Sequence, residues 1–197
     1  MELRREHRKL SGAVIVAMDR SGSMSIPVPG GRLKMDLANE GAVSVLELLS
    51  DNDYYGVLAV DSQAHKIIEA GQISGRKSEM ASKIRSIKSM GGGIFIYEAL
   101  HHAASMLTDV TAGTRHIILF ADAADSEEPG EYKKLLGKLN DAGITVSVIG
   151  LGTEKDVDAN LLKEIAFLGK GNIYFANSAM ELPQLFARET LTLMRGT

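Results

Sequence analysis

Short apolar runs alternate along this chain with stretches whose apolar positions recur every three or four residues. The runs at 13–18, 55–60, 66–69, 116–121, 144–149 and 172–176 predict strands. Most are continuous rather than alternating, the pattern of strands buried on both faces of a parallel sheet. The runs at 55–60 and 66–69 are too close for a parallel crossover and predict a hairpin, with a short antiparallel strand at a sheet edge.

Helical stripes fill the intervals. Leu33, Leu37, Val45, Leu48 and Leu49 share one face of a helix near 33–49. Met80, Ile84 and Ile87 mark a second helix, and Ile96, Leu100, Ala103, Ala104 and Leu107 a third. Tyr132, Leu135, Leu136 and Leu139 mark a fourth, Leu161, Leu162 and Ile165 a fifth, and Leu182, Leu185 and Phe186 open a sixth. Gly143 and the glycines of 169–171 punctuate helix ends, where a left-handed residue is commonly needed. The expected architecture is one doubly wound α/β domain: a mostly parallel six-stranded sheet with one short antiparallel edge strand and helices on both faces.

Composition narrows the function classes. A chain of 197 residues with 45% hydrophobic and 24% charged residues suits one globular domain with a substantial core. Its net charge of -3 offers no general attraction to nucleic acid or anionic lipid. The absence of Cys excludes disulfides, thiol nucleophiles and thiolate metal sites. No apolar run approaches the roughly 20 residues of a membrane span. Arg4, Arg5, Arg8 and Lys9 make 1–12 a basic lead-in, either solvated or the cytoplasmic flank of a removed membrane helix. The expected domain covers 13–190, with 191–197 as a tail or the start of a linker.

Three loops carry candidate chemistry. Asp19-Arg20-Ser21-Gly22-Ser23 follows the first strand and sets one carboxylate and two hydroxyls at alternate positions. Hard oxygens of low total charge suit Mg²⁺, Mn²⁺ or Ca²⁺. Asp122-Ala123-Ala124-Asp125 follows the run at 116–121 in the same way, and would face Asp19 if the two strands are central neighbours. Met90-Gly91-Gly92-Gly93-Ile94 links the second and third helices, and its glycines permit close backbone approach. Taken singly, Asp19, Ser21, Asp122 and Asp125 could merely turn the chain and cap helices, and the glycines could be a plain link.

Together these motifs resemble the von Willebrand factor type A domain, the fold also found in integrin inserted domains. Asp19, Ser21 and Ser23 match that family's DxSxS metal-ion-dependent adhesion site, Gly91-Gly92-Gly93 its GGGT loop, and Asp122 the acid after the fourth strand. The resemblance covers roughly 13–189. It implies a divalent cation, Mg²⁺ or else Mn²⁺ or Ca²⁺, held by Ser21, Ser23, Asp19 and Asp122, and a protein partner whose acidic side chain completes the shell. It implies no catalysis. Ile94 stands where the family has a Thr ligand, so an extra water or a donor such as Asp125 would fill that place. The ending Leu182-Pro183-Gln184-Leu185-Phe186-Ala187-Arg188-Glu189-Thr190 further resembles a bacterial subgroup. There the domain sits in a membrane-anchored protein, before a region similar to glutamine amidotransferases, which would make this soluble chain an excised module.

Other residues read more plainly. Asp61 is either a hairpin turn residue or a group behind the site. His101 and His102 point about 100° apart on a helix and form no joint metal pair. His65 and His116 read as edge residues, and Met18, Met24, Met90 and Met106 as core or rim packing. Pro27-Val28-Pro29-Gly30-Gly31 is either a spacer or a lip over the site. A phosphatase of the haloacid dehalogenase kind would use Asp19 as nucleophile, yet needs an acid where Ser21 stands. GxxxxGK[ST] is absent, and no Ser/His/Asp set can be assigned. A metal-free interaction or structural domain with a degenerate site, Ile94 standing in place of Thr, is the other alternative.

Overall fold

The computed structural model describes residues 11–124 and 126–195. In chain order the elements are β1 (Gly12–Asp19), α1 (Lys34–Leu48), β2 (Tyr54–Val60), β3 (Ala64–Gln72), α2 (Lys77–Arg85), β4 (Ile94–Phe95), α3 (Ile96–Leu107) and β5 (Thr114–Asp122). There follow β6 (Ser126–Glu127), α4 (Tyr132–Asp141), β7 (Ile144–Leu151), α5 (Ala159–Leu168), β8 (Lys170–Ala176) and α6 (Leu182–Arg195). Six strands form one sheet in the order β3-β2-β1-β5-β7-β8, parallel except between β2 and β3. The strands β4 and β6 form a separate two-residue parallel ladder, too short to leave any apolar pattern. The basic residues Arg4, Arg5, Arg8 and Lys9, and Asp125, lie outside the described residues.

The continuous apolar run of β1 serves two cores through the strand's period of two. Val14, Val16 and Met18 join Leu46 of α1, Met80 of α2 and Phe186 of α6 on one face. Ala13, Ile15 and Ala17 join Leu100 of α3, Leu136 of α4 and Ile165 of α5 on the other. Each large side chain so buried is worth about 1.5–3 kcal/mol relative to exposure. Both faces are therefore covered, as a parallel sheet requires.

Three expectations are corrected. The edge strand β3 is nine residues long rather than short. Only Ile68 is buried in it, so most of the strand carries no apolar run, and its pairing with β2 shifts register around Val57. Exposed Lys66 and Glu69 leave this edge unattractive to further strands. In the 169–171 segment the left-handed residue is Lys170 (φ 57), not a glycine. Gly169 and Gly171 are needed instead for close approach, because a Cβ on either would overlap Val146 of β7. Finally, α6 continues to Arg195 with Leu193 packed on the core, so the boundary expected at 190 falls inside a helix.

The contact between α1 and α6 is equally close. A Cβ on Gly41 would overlap the Phe186 ring. Gly41→Ala should therefore lower thermal stability, although alanine is the better helix former by about 1 kcal/mol. Overpacking of about 1–3 kcal/mol outweighs that gain, and a melting curve unchanged or shifted upward would refute it.

At the amino-terminal end of the strands lies a polar cluster that the sequence did not reveal. His116, expected at an edge, is only 2% exposed because α6 covers it. Its Nε2 lies 3.1 Å from Glu189 Oε1, and its Nδ1 lies 2.6 Å from Thr145 Oγ1. Asn172 Nδ2 donates to Glu189 Oε2 at 3.2 Å. Burial pushes the Glu189 carboxyl up, yet hydrogen bonds from His116 and Ser147 outweigh it and hold the group below its ordinary value.

Candidate metal centre

The chain runs outward from β1 to β2 and β3 on one side, then returns to place β5, β7 and β8 on the other. The order reverses between β1 and β5, and a crevice opens beyond their carboxyl ends. Asp19, the last residue of β1, is fully buried there. Its Oδ1 accepts from the Ser21 amide at 2.7 Å and its Oδ2 from the Asp122 amide at 3.0 Å. One carboxylate thus ties both strand ends together. Burial raises its pKa to about 6 despite the hydrogen bonds from Ser21 and Asp122, which favour the charged form.

Ser21 precedes a single 3-10 turn at Gly22–Ser25, but its hydroxyl does not cap it. Capping therefore does not explain this side chain. Its Oγ lies 3.3 Å from Ser23 Oγ, and Ser23 Oγ donates to Asp122 Oδ2 at 3.2 Å. The other oxygen of Asp122 accepts from the Ala124 amide at 2.8 Å. Adjacent oxygens in an octahedral Mg²⁺ shell are about 3 Å apart, given bonds near 2.1 Å. The three side chains are therefore spaced like edges of such a shell, and the donor set fits a hard cation. Among the described residues no group of three or more His, Cys, Asp or Glu side chains is placed to hold a metal, and the donors that converge here are two carboxylates and two hydroxyls.

The glycine loop meets this turn through the backbone. Gly22 donates to the Gly92 carbonyl at 3.1 Å, Met90 to the Arg20 carbonyl at 2.7 Å, and Ser89 Oγ to the Ser21 carbonyl at 2.6 Å. Gly92 holds φ at 90°, a conformation that disfavours side chains. Ile94 is fully buried and belongs to the core beneath α3. It brings no oxygen to the centre.

Asp61 stands behind the site and is more than a turn residue. Its Oδ2 accepts from Arg20 Nε at 2.9 Å and Nη2 at 2.8 Å, and its carbonyl accepts from the Phe95 amide at 2.9 Å. It therefore clamps the first loop to the segment after the glycines. Burial pushes its carboxyl up, but the Gln63 amide and the Arg20 guanidinium outweigh this and hold it below the ordinary value. Arg20 and Ser89 carry no sequence signal of their roles, because their partners lie on strands and loops brought close only by the fold. Thus the structure gathers Asp19, Ser21, Ser23 and Asp122, and leaves Ile94 facing the core.

A family model of the von Willebrand factor type A domain matches residues 13–188. The chain belongs to this family. Among solved structures, a von Willebrand factor type A protein from Catenulispora acidiphila superposes on this type A domain with a TM-score of 0.81 at 20% identity, covering 93% of this chain and 43% of that one. BatB from Bacteroides thetaiotaomicron gives 0.75 at 20% identity, covering 94% and 99%. Proximal thread matrix protein 1 from the mussel byssus, with a zinc-occupied MIDAS motif, gives 0.77 at 15% identity, covering 93% and 46%. In sequence, the type A domain is 26% identical over 125 residues to the general transcription and DNA repair factor IIH subunit ssl1 of Schizosaccharomyces pombe, spanning 62% of this chain and 28% of that protein. The chain thus spans less than half the length of three of these four proteins. No helix among its described residues is long and apolar enough to cross a membrane.

Proposed function

We propose that this type A domain is a non-enzymatic interaction module that holds a divalent cation and captures an acidic side chain of a protein partner through it. The convergence of Ser21, Ser23 and Asp122 above buried Asp19 carries the reading. Two carboxylates roughly neutralise the ion, while neutral hydroxyls leave it able to accept an external carboxylate. An oxygen-only donor set favours Mg²⁺, Mn²⁺ or Ca²⁺. The zinc in the mussel protein's motif supports cation binding at this position. Phosphatase chemistry finds no support, because Ser21 occupies the place of the required acid and is fully buried. The parent protein is proposed to be bacterial and membrane-anchored, on the resemblance of the ending at 182–190.

Burial of Ile94 favours weak metal binding and keeps a metal-free interaction domain as the second reading. Calorimetric titration with Mg²⁺ separates the two. The wild-type chain should bind at about millimolar Mg²⁺, and Asp122→Ala should not bind. Ile94→Thr supplies the missing hydroxyl only by turning its side chain from the core to the ion, and should then tighten Mg²⁺ about tenfold, equivalent to about 1.4 kcal/mol. It should also cost about 2 kcal/mol of metal-free stability by emptying core volume and burying a hydroxyl. Failure of both wild type and Ile94→Thr to take up Mg²⁺ leaves the metal-free domain standing.

A further inference from the structure

The metal centre borders an open groove of 430 Å³, and Asp122 belongs to both. On one side stands the lip at 27–31, which the structure shows to be a small hairpin rather than a loose spacer. Val28 donates to the Arg32 carbonyl at 2.8 Å, Lys34 to the Ile26 carbonyl at 3.0 Å, and Pro27 bridges to Leu33. On the other side lies the turn at 177–179.

Among the described residues, Lys34 is the only cationic side chain lining this groove. It is half-buried at the first position of α1, where the helix dipole disfavours a positive charge. Its ammonium makes no hydrogen bond or ion pair with any described residue. The two carboxylates that share the groove are already engaged. Asp122 accepts from Ser23 and Ala124, and Asp156 accepts from the Thr153 amide at 2.6 Å. An external anion at Lys34 would offset its dipole penalty and give it the partner it lacks among the described residues. Beside the groove, Ile26 (48% exposed), Val157 (87%) and Met180 (59%) each adjoin a lining residue in sequence. Such apolar groups around charged ones suit a polypeptide better than a free small anion.

We propose that the groove takes an extended acidic segment of the partner protein, one carboxylate completing the shell over Asp122 and a second pairing with Lys34. This rests on the cation reading above. The test is a double-mutant cycle in saturating Mg²⁺, using capped glycine peptides that carry one Asp, or two Asp at varied glycine spacing. At the best spacing the second Asp should tighten binding about fivefold, the value of a partly screened ion pair, and Lys34→Gln should abolish that gain. Lys34→Glu should turn it into a loss. Absence of a gain at every spacing, or a gain that persists in Lys34→Gln, overturns the proposal while the cation reading stands. If even the one-Asp peptide fails to bind with Mg²⁺ present, the cation reading falls and this proposal falls with it.

Discussion

Asp19→Asn should abolish any rise in melting temperature produced by Mg²⁺ and flatten part of the pH dependence of stability. The carboxyl titrates at about 6 in the folded protein against its ordinary value of 3.8, because burial disfavours its charge. The folded chain therefore binds more protons between these values, so stability falls as pH rises from about 4 to about 6 and then levels off. For this group alone the fall is at most about 3 kcal/mol, from roughly 1.4 kcal/mol per unit. A cation takes the place of the proton, so stabilisation by Mg²⁺ should grow between pH 5 and pH 7.5. Asn would also aim an N–H at the Ser21 or Asp122 amide, which should cost about 1–3 kcal/mol at pH 5, where the native carboxyl is largely neutral. Thermal melts at both pH values, with Mg²⁺ and with chelator, give the comparison. A Mg²⁺ response that survives in Asp19→Asn, or one equal at both pH values, would contradict this account.

Glu189→Ala should give the largest loss of stability in the metal-free protein. Glu189 is 1% exposed and joins α6 to β5 and β8 through His116 and Asn172. Removing the carboxylate leaves buried donors without an acceptor, at a cost of about 3–5 kcal/mol. For a domain of this size that lowers the melting temperature by roughly 6–20 °C. Glu189→Gln keeps the shape and one acceptor, so it should lose less. The pH dependence runs opposite to that of Asp19. A carboxyl held below its ordinary value contributes stability above the unfolded pKa, and that contribution is lost as pH falls through the folded value. An alanine variant melting within about 2 °C of wild type would show the pair to be energetically idle.

The two carboxyls differ in how they could be read from the sequence. Asp19 was legible because its neighbours Ser21 and Ser23 sit at fixed local spacing after a buried run. Glu189 was not, since its partners His116 and Asn172 are 73 and 17 residues away and meet it only when α6 docks. The same limit applies to Asp61. Its pairing with Arg20 depends on β2 lying beside β1, which no local pattern encodes.

By itself the sequence determined the alternation of strands and helices, the hairpin, the doubly wound class and three candidate loops. Each follows from local periodicity or from side-chain chemistry within a few residues. The tertiary structure decided what depends on distant segments: the order that makes β1 and β5 neighbours, the spacing of Ser23 from Asp122, and the burial of Ile94. It also decided that His116 is interior and that Lys34 lines a groove with no described partner. Burial and pairing between remote residues are properties of packing, and packing sets the pKa of Asp19 and the place of Lys34 in the groove.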